Sequence, residues 1–326
     1  MRASDIGEFN LIDILRRLLG KGGGDLVCGA GDDAALFRGR DGGLWAYTTD
    51  AMVEGVHFDL SYTSWHSLGY RALAVNLSDL ASMGGYGTSY ALVALGLRGD
   101  VEVEAVEEMY RGMLECGEAF SCRVAGGDIV RSPGGLFVSV SLVGALEGDR
   151  YLARGNARPG ELILATGFLG DSRLGMLWLA GGGDAAHPCA LRHLYPRPRR
   201  EEGRLALQLG ATAAIDVSDG LLRDLGHICE ESGVGAEIHL DDIPVSREAR
   251  ELAAALGTDP LQAALHGGED YELLLTAAED ASEEMAERLP ASVIGKVTEG
   301  SGVTVLDREG KRVEVSRSGY EHFGEE

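Results

Sequence analysis

Basic residues are scarce in this chain of 326 residues: 29 lysines and arginines stand against 52 aspartates and glutamates, a formal net charge of -23. That balance excludes nucleic acid and anionic membranes as main partners, because phosphate backbones and lipid headgroups are held by basic patches. Cysteine is sparse too. Cys28, Cys116, Cys122, Cys189 and Cys229 are odd in number and include no C-x-x-C pair, which argues against a disulfide framework or structural zinc and for a reducing cytoplasm. No apolar run approaches the length of a membrane span. Arg2, Asp5 and Glu8 precede an amphipathic stretch from Phe9 to Leu19, so no signal peptide is expected there. Neither a G-x-x-x-x-G-K-[ST] loop nor the protein-kinase signature set occurs, and the triple-glycine runs at 22–24 and 181–183 lack the strand-loop-helix setting of a phosphate cradle.

Glycine, by contrast, is plentiful. Its 48 residues are spread along the chain, as expected for many tight turns between short elements of a folded α/β or α+β protein. The length predicts two domains, at residues 1–149 and 150–326, joined at the charged stretch GDRYLARGNARPGE over 148–161. Three-to-four spacing predicts helices over 9–19, 65–83, 101–120, 221–232 and 279–289. Alternation predicts strands over 44–49, 89–97, 136–146, 162–166, 213–217, 236–240, 272–276 and 292–297, with Val138, Val140 and Leu142 facing inward.

Aspartates recur where apolar runs end in small-residue turns: Asp32-Asp33 in GAGDDAALF, Asp50 in YTTDAMVEGVHF, Asp79 in NLSDLASMGG, Asp128 in VAGGDIV, and Asp216 with Asp219 in AAIDVSDGLL. Mg2+ takes hard oxygen ligands and keeps several waters, so one or two carboxylates per ion plus substrate phosphates is the design such a set suggests. Each acid alone also fits a turn or N-cap. Asp79 fits those readings least, since it interrupts an apolar helical segment, where an unpaired charge is costly. Thr48 and Thr49 add hydroxyls beside Asp50. His57 reads either as a phosphate donor or as a loop histidine. Arg71, Arg154 and Arg158 read as phosphate clamps or as surface ion pairs, the latter preferred for Arg158. In HGGEDYELLL, two glycines allow close backbone approach to a ligand and Glu269 with Asp270 opens a strand.

Taken in order, GEFNLI, GDDAAL, TTDAMVEGVHF, NLSDLASMGG, GGD, IDVSDGLLRDLGHI, GGEDYELL and SGYEHF give the chain a nearly end-to-end resemblance to the thiamine-monophosphate kinases, of the superfamily that includes aminoimidazole ribonucleotide synthetase. The resemblance implies an N-terminal mixed sheet that forms a barrel across a homodimer, and a C-terminal α/β domain closing over ATP, thiamine monophosphate and several Mg2+ ions. It implies metal-site roles for Asp33, Thr48, Thr49, Asp50, Asp79, Asp128, Asp216 and Asp219, with Asp79, Asp216 and Asp219 the most critical. It further implies ATP contacts at Tyr110, Gly127, Asp128, Arg154 and Ser218, and thiamine-monophosphate contacts at His57, Glu269 and Tyr320. One motif departs from the family's R-x-G-A-x-P-G-D: here it reads RGNARPGE, with Asn156 and Glu161.

The activity so implied is direct, Mg2+-assisted phosphoryl transfer with no general base, since a phosphate-monoester acceptor is already largely dianionic above its second pKa of about 6. Two alternatives stand beside it. One is another ATP-dependent synthetase of the superfamily. A selenophosphate synthetase would want a reactive cysteine in a Gly-rich N-terminal loop and a hydrogenase-maturation protein a C-terminal cysteine, and neither pattern is present. The other is a nucleotide- and metal-binding regulator without turnover.

Overall fold

The computed structural model describes residues 2–20 and 23–315. The first half carries α1 (Ala3–Ile6), α2 (Glu8–Leu19), α3 (Trp65–Ser82) and α4 (Val103–Ala119). Its strands are β1 (Leu26–Cys28), β2 (Ala35–Arg38), β3 (Leu44–Val53), β4 (Gly85–Leu97), β5 (Cys122–Arg131) and β6 (Phe137–Leu146). These six form one sheet in the order β1-β2-β3-β6-β4-β5, mixed because β5 runs parallel to β4 while the other pairings are antiparallel.

The second half contributes β7 (Leu162–Thr166), β8 (Ala213–Asp216), β9 (Gly235–His239), β10 (Leu273–Ala277), β11 (Ala291–Thr298), β12 (Gly302–Leu306) and β13 (Arg312–Val313). They form a second mixed sheet in the order β13-β12-β9-β11-β7-β10-β8. Around it lie α5 (Asp171–Ala180), α6 (Pro188–Leu194), α7 (Arg200–Leu209), α8 (Leu221–Ser232), α9 (Arg247–Leu256), α10 (Pro260–His266) and α11 (Glu279–Arg288). The chain is thus a two-domain α/β protein with a core of its own in each half.

Helix α3 organises the first half and the join. Ser64 caps it, its hydroxyl accepting from the Ser67 amide at 3.0 Å. Apolar residues surround it on nearly every side, among them Leu68, Leu73, Leu77 and Leu80, none with measurable exposure, so it runs through the protein instead of lying on it. One face packs on the sheet. Its C-terminal end meets α7 of the second half so closely that a Cβ at Gly203 would lie 2.0 Å from the Ala81 carbonyl oxygen, and Ala81 shares a core with Leu164, Leu207 and Leu273. The last turn of α3 therefore sits at the seam between the two halves, beside the C-terminal end of β8.

On β3, even-numbered Ala46, Thr48 and Met52 are buried beneath α3, while Tyr47, Thr49 and Val53 face outward. The outer face carries further exposed apolar residues: Tyr90 and Leu92 on β4 and Val130 on β5. No described helix is long and apolar enough to cross a membrane, and the five cysteines are unpaired.

Candidate active site

Four carboxylates meet at the seam. Asp33 comes from the turn before β2, Asp50 from the inner face of β3, Asp79 from the last turn of α3 and Asp216 from the end of β8. Their orientation is fixed by short polar contacts. Thr48 Oγ1 donates to Asp79 Oδ2, Ser78 Oγ donates to Asp216 Oδ2 at 2.5 Å, and Asn76 Oδ1 accepts from the Asp50 amide at 3.2 Å. Arg154, in the 3-10 turn that connects the halves, donates Nε to Asp33 Oδ1 at 2.9 Å and its amide to Asp32 Oδ2 at 3.2 Å.

One guanidinium does not balance this set. Burial pushes the Asp79 carboxyl well above the ordinary carboxylate range, and the charges of Asp50, Asp216 and Asp33 push it further, against the hydrogen bond from Thr48. Asp216 is raised by burial and by Asp33, and Asp50 by burial, with Asp33 adding to it. Asp32 is pushed up to about 7 by burial and by its neighbour Asp33. Position adds to the cost, because the C-terminal turn of a helix carries a partial negative charge that disfavours an aspartate. Asp33 Oδ2 is buried and has no hydrogen-bond partner. Hard oxygens crowded with fewer cations than carboxylates are the donor set that a small divalent cation such as Mg2+ requires.

A second acidic group adjoins the first. Asp219, Asp224 and His227 each offer a ligand atom within 4.8 Å of the others. Asp224 Oδ2 accepts from the amides of Ser218, Asp219 and Gly220 at 3.0, 3.1 and 3.0 Å, which shapes the turn between β8 and α8. His227 also lines a cleft of about 1120 Å³ between α8 and the β12–β13 edge.

The GGEDYE segment lies along the same turn. The Glu269 amide donates to the Ser218 carbonyl at 2.8 Å and the Tyr271 amide to the Val217 carbonyl at 2.9 Å. Glu269 (φ 59°) and Tyr271 (φ 52°) are both held in left-handed backbone, a conformation that costs about 1–3 kcal/mol per non-glycine residue and tends to collect at ligand sites. Asp270 is occupied elsewhere: its carboxylate accepts from the amides of Gly170 and Ser172 at 2.7 and 3.1 Å, at the start of α5.

Residues 31–146 match the family described as AIR synthase related protein, N-terminal domain, and residues 158–308 match its C-terminal domain. Thiamine-monophosphate kinase of Aquifex aeolicus is 38% identical over 99% of this chain and 100% of its own length; that of Bacillus subtilis is 34% identical over 90% and 93%. The chain belongs to the thiamine-monophosphate kinase family. A solved structure of AaThiL complexed with AMPPCP and TMP superposes with a TM-score of 0.87 at 36% identity, covering 99% of both chains.

Of the positions expected from sequence to form a metal site, the structure brings Asp33, Thr48, Asp50, Asp79 and Asp216 together and sets Asp219 in the adjoining group. Thr49 and Asp128 point elsewhere. The rows Thr49-Ser141-Leu92 and Ala51-Ser139-Ala94-Asp128 run across the sheet on its outer face, so neither side chain shares a face with Asp50. Asp128 is also three strands from β3, roughly 14 Å at ordinary strand spacing.

The remaining positions divide further. Gly127 is demanded by the sheet itself, since a Cβ there would lie 1.8 Å from the Val93 carbonyl oxygen. Tyr110 is half-buried on α4 against the first core, and Ser218 lies in the turn under Asp224. His57 follows β3, its Nδ1 accepting from the Val53 amide at 3.1 Å. Tyr320 lies outside the described residues. Arg71, read above as a phosphate clamp, is instead buried and turned to protein groups. Glu161 of the departing motif is buried and accepts from the Arg158 amide and Thr212 Oγ1, so the substitution is absorbed locally. Sequence reasoning missed Asp224 and His227, although their i, i+3 spacing on α8 places both on one face.

Proposed function

We infer that this chain transfers the terminal phosphoryl group of ATP to thiamine monophosphate, giving ADP and thiamine diphosphate. The observation that carries the reading is the meeting of Asp33, Asp50 and Asp79 from one half with Asp216 from the other, in a chain of this family. The solved relative complexed with AMPPCP and TMP supports an ATP-like donor and a phosphorylated acceptor. The division of labour follows residues 1–149, carrying most metal ligands and the dimer face, and 150–326, closing the site.

The acceptor's phosphate oxygen attacks the terminal phosphorus of ATP, the bond from that phosphorus to its bridging oxygen breaks, and ADP departs. No base is needed, because a phosphate monoester with a second pKa of about 6 carries the required lone pair near neutral pH. Charge is the obstacle: two unit charges 4 Å apart repel by about 4 kcal/mol at an effective dielectric of 20. Mg2+ held by Asp33, Asp50, Asp79, Asp216 and Asp219 would neutralise phosphate charge. Thr48 and Ser78 keep the Asp79 and Asp216 carboxylates aimed, Asn76 holds the Asp50 backbone, and Arg154 fixes Asp33 between the halves. His57 and Glu269, with Tyr320, would receive the organic end of the acceptor, and Tyr110, Gly127, Arg154 and Ser218 the nucleotide.

The exposed apolar residues Tyr90, Leu92 and Val130 on the outer sheet face support a homodimer formed through that face. In such a dimer Asp128 and Thr49, both on that outer face, would lie toward the second chain and not toward Asp50 of their own. The acidic composition and unpaired cysteines fit a cytoplasmic enzyme.

The test is ADP release by the purified chain with ATP and Mg2+, run beside thiamine monophosphate, thiamine, an aminoimidazole precursor and no acceptor. Release that needs thiamine monophosphate is expected. Release with another acceptor alone would move the chain elsewhere in the superfamily, and ATP binding without release would make it a regulator.

A further inference from the structure

Among the described residues Arg71 is the largest side chain fully enclosed in the protein, 1% exposed, and it spends its donors at one place. Nη1 donates to the His57 carbonyl at 3.2 Å and to His193 Nε2 at 3.2 Å, and Nη2 donates to Glu269 Oε1. Arginine has no acceptor, so His193 Nε2 must accept and the imidazole is neutral with its proton on Nδ1. Burial, with Arg71 and Arg173 nearby, also holds this histidine well below its ordinary pKa. Nδ1 then donates to Ser172 Oγ at 3.1 Å and faces Glu269 Oε2 at 3.6 Å. Glu269 is thus held at Oε1 by Arg71, with the His193 ring beside Oε2, while its side chain keeps 27% exposure toward solvent.

This arrangement is poorly explained as a stabilising ion pair. A buried guanidinium loses its hydration, and a buried pair seldom returns more than an apolar replacement would. Here Arg71 Nε is also buried without a partner, a further cost. What the arrangement does accomplish is geometric. It ties the His57 loop of the first half to Glu269 of the second, and it holds Glu269 in a left-handed backbone that the residue would otherwise leave.

We propose that Arg71, assisted by His193, is a positioning residue for the acceptor end of the site, fixing His57 and Glu269 across the two halves so that they select the organic part of the acceptor. This rests on the reading above that those two residues contact thiamine monophosphate. Arg71 itself touches no substrate, and its effect passes through Glu269.

A double-mutant cycle on the full chain tests this. Arg71→Lys keeps the charge but lacks the fork that reaches three partners. It should raise the KM for thiamine monophosphate about tenfold, leave the KM for ATP within about twofold, and change kcat less than the acceptor KM. In a Glu269→Gln background the same substitution should add less than about twofold, because its route of action is already cut. His193→Leu runs the same cycle should Arg71→Lys fold poorly. Equal penalties in both backgrounds, or a rise in both KM values, would make Arg71 a structural link between the halves and overturn the proposal. A wild-type chain that releases no ADP with thiamine monophosphate removes the functional reading and the proposal together, whereas an active wild type with additive penalties removes the proposal alone.

Discussion

Two charged groups lie at the seam between the halves, and they are built on opposite rules. Around Asp79, acids outnumber cations, burial and mutual repulsion raise their pKa values, and a buried oxygen of Asp33 is left without a donor. Around Glu269, a single acid is matched by Arg71, with Nδ1 of neutral His193 3.6 Å from its other oxygen. The first group is finished only by something from outside that carries positive charge. The second already holds its own counter-charge and sets geometry. That contrast matches the two ends of the proposed acceptor, a phosphate that needs cations and an organic part that needs shape.

The largest break should come in the acidic group. Asp79→Asn and Asp216→Asn each remove a proposed cation ligand and should lower kcat/KM by about a thousandfold or more, measured by ADP release. Without metal the same variants should melt higher than wild type, since like-charge repulsion is relieved, and Mg2+ should stabilise them less. A variant with lost activity and a lowered metal-free melting temperature would show the carboxylates to be structural.

Leu92→Asp on the outer sheet face comes next. It should yield monomers by light scattering and cost about tenfold or more in activity, because Asp128 and Thr49 would lose their partner chain. Monomers with full activity would return those two residues to a role within one chain or to none.

Protons sharpen the comparison through the sign of the effect. The acids around Asp79 have folded-state pKa values raised above the ordinary range, so the folded chain binds more protons than the unfolded one between those limits. Stability without metal should therefore fall as pH rises from the ordinary carboxylate range through the raised values. Melting curves in chelator from pH 5 to 8 should descend, and the gain from Mg2+ should grow over the same range. The smallest effect belongs to a control outside both groups: Arg158 is exposed, so Arg158→Ala should change stability by less than about 0.5 kcal/mol and leave turnover unchanged.

Much of the frame was legible because periodicity carries it. α8, read over 221–232, and β6, read over 136–146, have side chains that alternate or recur as their geometry demands. β5 was not read as a strand, since Val124-Ala125-Gly126-Gly127-Asp128 offers little alternation and the glycines serve close strand approach. The acids that meet at the seam could be picked from their turn settings, and Asp79 from its cost in an apolar helix. Period two also separates Thr49 from Thr48 and Asp50, a signal present in the sequence and visible once β3 has a covered face. The Arg71–Glu269 pair, 198 residues apart and crossing the halves, leaves no local trace.

The most direct measurement follows the phosphoryl group itself. With ATP labelled at its terminal phosphate, Mg2+ and thiamine monophosphate, the label should appear in thiamine diphosphate in step with ADP and never on the protein. Label held by the protein during turnover, or released only as inorganic phosphate, would contradict direct transfer at the seam.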